Sequence, residues 1–299
     1  MPVCQMPFII TNGISEEEKT AWHNARLAEV EAGTYKGKEI TPDFEPIKGW
    51  KPLKKYWGYS GEANPAEIIR GAIYDRSRMG IYPGDYIRET VLGTRYKFII
   101  VKIGNLPYLG SPTALMAADK PCPGRIRGAE YTGDFVGNQA TPMQWKNWNY
   151  QYTSIRGYCN NFYRQLPASL ANCIMEVYTP FTQYNYEDKQ WDLSSTKARV
   201  FIPSATELCP SDDSFESKIH EKAEPDYFIP WPKTYKNSIN DLSKLNGCWL
   251  RTMFCDRGLD GQWNYLICKC NHMELVGGER LEVGLPSAHA YILPCFCIG

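Results

Sequence analysis

The 299-residue chain balances 33 basic against 33 acidic side chains and is 43% hydrophobic, enough apolar material for one large core or two modest ones. Its zero formal charge supplies no global field for nucleic acid or an anionic membrane, so neither is expected as a partner. No apolar run reaches the roughly 18 residues of a membrane span. Met1-Pro2-Val3-Cys4-Gln5-Met6-Pro7 also lacks the basic-then-apolar pattern of a secretory signal, so synthesis in a cytoplasm is expected.

Residues 1–13 read as extended. Ser15 with Glu18 three residues on forms a capping box, and the helix it opens is expected to run to Ala32 and stop at Gly33. Along it Ala21, Ala25, Ala28 and Ala32 recur at helical spacing as a narrow small-residue stripe. Such a stripe admits a second helix at close range, from this chain or from another copy in a homo-oligomer. Residues 34–63, rich in Gly, Pro, Lys and Tyr, read as a linker or arm. Asn64-Pro65-Ala66-Glu67 then starts a helix expected to reach Met79.

After Pro83-Gly84-Asp85 the periodicity changes. Tyr86–Leu92 and Arg95–Ile103 flank Gly93-Thr94 and read as a β-hairpin. Residues 104–150, studded with Pro and Gly, read as irregular. Ser154 opens a helical stretch with Ile155, Tyr158, Cys159, Phe162 and Leu166 on one face, and Pro167 starts another with Leu170, Ile174 and Val177 inward. A short strand, Arg199–Ile202, precedes a second capping box at Ser204 and Glu207. Residues 210–234 read as a polar loop. Tyr235, Ile239, Leu242 and Leu245 suggest one more short helix. From Gly247 the chain reads as β segments, closing on the apolar run Ile292–Ile298 buried in a sheet.

Eleven cysteines without a signal peptide read as mostly reduced thiols. Cys268-x-Cys270 and Cys295-x-Cys297 each place two thiols on one face of a strand. Zinc ligands more often sit two to four residues apart on a turn. The pairs therefore read as small buried hydrophobes, with a Cys4 zinc site as the alternative, and no cofactor is expected. Asp256 and Asp260 lie in an acidic, glycine-rich turn and are candidate Ca²⁺ ligands, against the simpler reading of a hairpin turn. Trp145, Trp148, Trp263 and Tyr265 are candidate stacking faces for sugars, against core packing. No zinc-protease, G-x-S-x-G, P-loop or dinucleotide motif is present, and no catalytic residue is assigned. A cysteine enzyme using Cys255 and His272 stays open, since such partners are distant in sequence.

Several short motifs carry a resemblance. They are Gly84-Asp85-Tyr86 before the hairpin, Ser154-Ile155-Arg156 opening a helix, and Leu166-Pro167 joining it to the next. With them go Phe201-Ile202-Pro203-Ser204 and Glu207-Leu208, then Trp249-Leu250-Arg251, and the closing Leu293-Pro294-Cys295-Phe296-Cys297-Ile298. Together these resemble a domain of unknown function found in proteins of gut Firmicutes and their phages. That family carries a late Trp-Leu-Arg-Ser and an ending like Val-Arg-Pro-Phe-x-Ile, where this chain has Thr252 and Leu293.

The resemblance covers residues 80–299 and implies an α+β, C-type-lectin-like domain with a twisted antiparallel sheet, two or three helices and long loops. Residues 1–79 would be a two-helix arm for anchoring or oligomerisation. It further implies a non-enzymatic phage virion protein, a head fibre, capsid decoration or tail adhesin. Its partners would be other capsid or tail proteins and host or mucosal glycans. A soluble bacterial carbohydrate-binding module and a metal-assisted enzyme of the sulfatase-modifying type are the alternatives.

Overall fold

A computed structural model describes residues 14–49, 64–74, 80–106, 112–127, 154–185, 190–210, 220–257, 263–272, 280–284 and 289–299. The chain is α+β. Helix α1 spans Glu16–Glu31, and its Ser15 box is closed in both directions, Glu18 N–H to Ser15 Oγ at 3.1 Å and Ser15 N–H to Glu18 Oε2 at 2.8 Å. Gly33 turns the chain off the helix with φ of 71°. Helix α2 spans Pro65–Tyr74, and residues 75–79 of its expected extent lie outside the described set. No described helix is long and apolar enough to cross a membrane.

Strands β1 (Tyr86–Val91) and β2 (Thr94–Asn105) form the expected hairpin, but its loop is Leu92-Gly93, one residue earlier than the sequence reading. Both loop residues have positive φ, 52° and 74°, which is the turn whose twist matches the flanking strands. The region read as irregular contains β3 (Pro112–Ala118) and β4 (Ile126–Arg127). Strand β3 was illegible as a strand because it is buried on both faces and shows no polar alternation.

Helix α3 (Ser154–Arg164) buries Ile155, Cys159 and Phe162 as expected. The next helix, α4, is only Ala168–Ala171, because Ile174 bridges to Ile298 and Val177 opens a strand. That strand, β5 (Val177–Asn185), pairs with β6 (Gln190–Ala198) in a hairpin absent from the sequence reading. Strand β7 is Val200–Phe201, and α5 is Ala205–Leu208 behind its Ser204 cap. Helix α6 (Lys233–Asn237) and a 3₁₀ turn at Leu242–Leu245 replace the single helix expected there. Strands β8 (Trp249–Arg257), β9 (Trp263–His272), β10 (Arg280–Gly284), β11 (His289–Ala290) and β12 (Cys295–Ile298) complete the chain.

The main sheet runs β1-β2-β3-β12-β7, antiparallel throughout. The closing strand β12 thus sits inside it, between β3 and β7, with all four residues buried. Phe98 and Phe296 meet edge to face at 5.0 Å, and Phe162 of α3 packs against Tyr96 at 5.7 Å. A second sheet is ordered β10-β9-β8, and β4 pairs with β11. Trp249 ties these parts together, its backbone N–H to Tyr291 O at 2.8 Å and its indole N–H to Ile126 O at 3.0 Å. Within the segment read as an arm, Ile40, Phe44, Ile69 and Ile73 lie in the same hydrophobic cluster as Phe98 and Phe296.

Candidate functional site

Among the described residues, a dense buried polar network lies where β8 meets α5. Arg251 donates from Nε to Pro180 O at 2.7 Å and from Nη1 to Ile202 O at 2.7 Å. Its fork closes on Glu207, Nη1 to Oε2 at 2.6 Å and Nη2 to Oε1 at 2.5 Å. Glu207 is placed by the capping box, in which its Oε2 also accepts the Ser204 N–H at 2.8 Å. Beside it Thr252 Oγ1 accepts the Ala205 N–H at 2.6 Å and donates to Glu221, whose other oxygen accepts the Thr206 N–H at 3.0 Å. Burial pushes the Glu221 carboxyl upward. The rings of Phe201 and Phe228 flank the guanidinium at 5.9 and 5.8 Å.

This bidentate geometry is a strong form of ion pair, and here it fastens β5, the residue after β7, α5 and β8 to one another. The Arg251 side chain is 1% exposed and that of Glu207 11%, so the pair is largely shielded from solvent, with Glu207 lining a cavity of about 40 Å³. In the sequence both residues stand out only as parts of motifs. The capping box fixed where Glu207 would stand, whereas no local signal marked Glu221, which lies in a stretch read as loop.

A second buried centre joins the N-terminal segment to the main sheet. Asp85 Oδ1 accepts from the Tyr35 hydroxyl at 2.5 Å and the Lys38 N–H at 2.7 Å, and Oδ2 from the Tyr82 N–H at 2.8 Å. Burial pushes Asp85 up to about 6, even though these three donors pull the other way. Burial also raises the Tyr35 and Tyr82 hydroxyls, Tyr82 to about 12, and lowers His23, which shares a 2.6 Å hydrogen bond with the Tyr82 hydroxyl. Parallel to this, the Ile40 N–H bonds Tyr86 O at 2.7 Å and the Tyr86 N–H bonds Lys38 O at 3.0 Å. Gly37 crosses Gly84 so closely that a Cβ on Gly37 would fall on the Gly84 carbonyl.

The seven cysteines described with their side chains are all buried. Burial raises Cys122 to about 11 and lifts Cys248, Cys295 and Cys297 as well, which suppresses their thiolates. Among the described residues no His, Cys, Asp and Glu cluster is arranged to hold a metal. Cys295 and Cys297 stand on β12 in the main sheet, and Cys268 and Cys270 on β9 in the other. Cys255 pairs with Tyr265, and His272 lies seven residues further along β9, about 23 Å at the rise of a strand. Those two residues are not within reach of each other.

Of the candidate sugar-stacking residues, Trp145 and Trp148 lie outside the described residues. Trp263 and Tyr265 hold β9 positions opposite Arg257 and Cys255, with side chains outside the described set. Asp256 belongs to strand β8 opposite Asn264, so the hairpin connection begins only after Arg257; Asp260 lies outside the described residues.

Two surface features stand out among the described residues. Ala21, Ala25, Ala28 and Ala32 are exposed on α1 together with Leu27, while Trp22 and His23 turn towards Tyr82. Just past the end of α1 lies a groove of about 620 Å³, walled on one side by the turn at Gly33 and on the other by the end of α6 and residues 239–242.

The model of a family described as a domain of unknown function, DUF6273, matches residues 131–298. This is more than half of the 299 residues, and the chain belongs to that family. The matched span runs through α3 to β12 and holds the whole Arg251 centre, but not the β1–β2 hairpin or β3. No curated protein and no solved structure matches the chain.

Proposed function

We propose that the chain is a non-enzymatic virion structural protein of a phage, a head fibre, capsid decoration or tail adhesin that displays a C-type-lectin-like domain to host or mucosal glycans. The observation that carries this reading is where the reactive groups are spent. Arg251, Glu207, Glu221, Thr252 and Asp85 are buried and hydrogen-bonded to one another or to backbone, serving as fasteners between elements. The described thiols are buried, and those of β12 are held protonated. Two outward-facing features support it: an exposed alanine-lined helix face suited to close assembly, and a polar groove beside it. The particle itself is supported by the family resemblance of the motifs that include Trp249-Leu250-Arg251 and the closing strand.

A soluble carbohydrate-binding module is the second reading. One observation favours it: residues 35–46 pack on the main sheet of their own chain through Asp85 and the Tyr86 backbone. Mass spectrometry of gradient-purified phage particles separates the two. The virion reading expects this chain at a fixed ratio to the capsid protein through every purification step. A chain that stays entirely in the soluble lysate refutes it and leaves the module.

A further inference from the structure

We infer that the groove at the end of α1 is the binding site for a neutral saccharide. This inference rests on the glycan-binding part of the function proposed above and gives it a location. The groove's volume, about 620 Å³, falls in the range of small-ligand sites.

Its walls are held from both sides. Gly33 presses against Lys233 of α6, where an added Cβ would come within 3.1 Å of the Lys233 side chain. The Asn237 amide donates to the Gly33 carbonyl, which ties the last residue of α6 to the first turn after α1. Asp241 is fixed in turn by the Ser243 N–H at 3.1 Å and the Ser243 hydroxyl at 2.6 Å. The same bonds hold its carboxyl below the ordinary range, so it is ionised at neutral pH.

The inventory of hydrogen-bonding groups matches hydroxyls. Asp241 accepts only, Lys36 donates only, the Thr34 hydroxyl accepts while donating to Glu29 O at 3.3 Å, and the amides of Asn237 and Asn240 do both. Asn240 and Lys36 make no bond to any described residue, and Asn237 spends only its NH₂ on Gly33. Neighbouring sugar hydroxyls each donate and accept, which is the complement of such a set. Ile239 and Leu242 add an apolar strip for the C–H face of a pyranose ring. The lining carries one cation, Lys36, and one anion, Asp241, which is also paired with Lys244 at 3.9 Å, so the set of donors and acceptors rather than net charge selects a ring of hydroxyls. For a ligand of this size in an open groove the expected affinity is about millimolar.

The test uses the full chain and a panel of methyl glycosides (gluco, manno, galacto and N-acetylglucosaminide), read by saturation-transfer NMR and titration. The inference expects at least one glycoside to bind. It expects the exposed double variant Lys36→Ala/Asn240→Ala to weaken that binding by about 10-fold, the worth of two hydrogen bonds. Thr34→Trp, which fills the groove mouth, should abolish it, with the circular dichroism melt of each variant unchanged. Glycoside binding that survives both variants overturns the inference and leaves the glycan reading standing. Binding of inorganic phosphate or glucuronate with the same sensitivity to the variants, and of no neutral glycoside, overturns it in favour of an anion site. Binding of nothing in the panel overturns the inference together with the glycan part of the proposed function, while the virion assignment is decided separately by particle composition.

Discussion

Replacing Arg251 by Met removes a buried cation but keeps an unbranched apolar stem of similar reach. Four hydrogen bonds go with it: two to the Glu207 carboxylate and one each to Pro180 O and Ile202 O. Glu207 would then be a desolvated charge without its counter-ion, and two buried carbonyls would lose their donor. Breaking a buried pair from one side costs about 3–5 kcal/mol. Glu207→Gln, which keeps an acceptor for the Ser204 N–H, should cost less, because Arg251 retains its two carbonyl partners. In the double variant neither member of the pair is left alone, so its loss should fall short of the sum of the singles by about 2 kcal/mol or more. Urea unfolding followed by tryptophan fluorescence measures all four corners of the cycle. An Arg251→Met loss under about 1 kcal/mol, the level of an exposed pair, or strict additivity would refute the claim that this pair fastens the domain.

Three other outcomes follow from the structure. Asp85 has its carboxyl raised from 3.8 to about 6, so the native state holds a proton that the unfolded chain has already released. Stability from this group is complete below pH 4 and is lost as pH rises through 6, by about 3 kcal/mol in all. Urea midpoints measured from pH 4 to 7 should decline for the wild type and flatten for Asp85→Asn; parallel curves would contradict the assignment. Gly37→Ala meets both a φ of 70° and the Gly84 carbonyl, and a loss of about 2 kcal/mol or more is expected in the thermal melt. Cys122, Cys295 and Cys297, buried and shifted upward, should resist iodoacetamide in the native protein at pH 8 and react fully in denaturant, as read by mass spectrometry.

What could be read in advance was local. The Ser15 and Ser204 boxes, the β1–β2 hairpin and the apolar closing strand each carry their signal within a few residues; the first three form at or within two residues of their expected place, and the last starts three residues late, at Cys295. Elements set by distant partners were missed. Strand β3 is an unbroken apolar run, and only its neighbours β2 and β12 make it a strand. The helix after Pro167 stops at Ala171 because Ile174 is drawn to Ile298, 124 positions later. The β5–β6 hairpin reads as polar and Tyr-rich and has no strong turn dipeptide. The polar centres were harder still. Arg251, Glu207 and Glu221 lie in three separate stretches, and only the fold brings them together. Asp85 was legible as a turn residue, yet its bonds to Tyr35 and Lys38 depend on packing across the Gly37–Gly84 crossing.

The proposal that this chain is a virion component is tested most directly by immunogold electron microscopy of intact phage particles, using antibody raised against the purified full chain. The account predicts gold at regular positions on the particle: on the capsid for a head fibre or decoration protein, at the tail tip for an adhesin. Unlabelled particles in a lysate where the same antibody detects abundant soluble protein would contradict it.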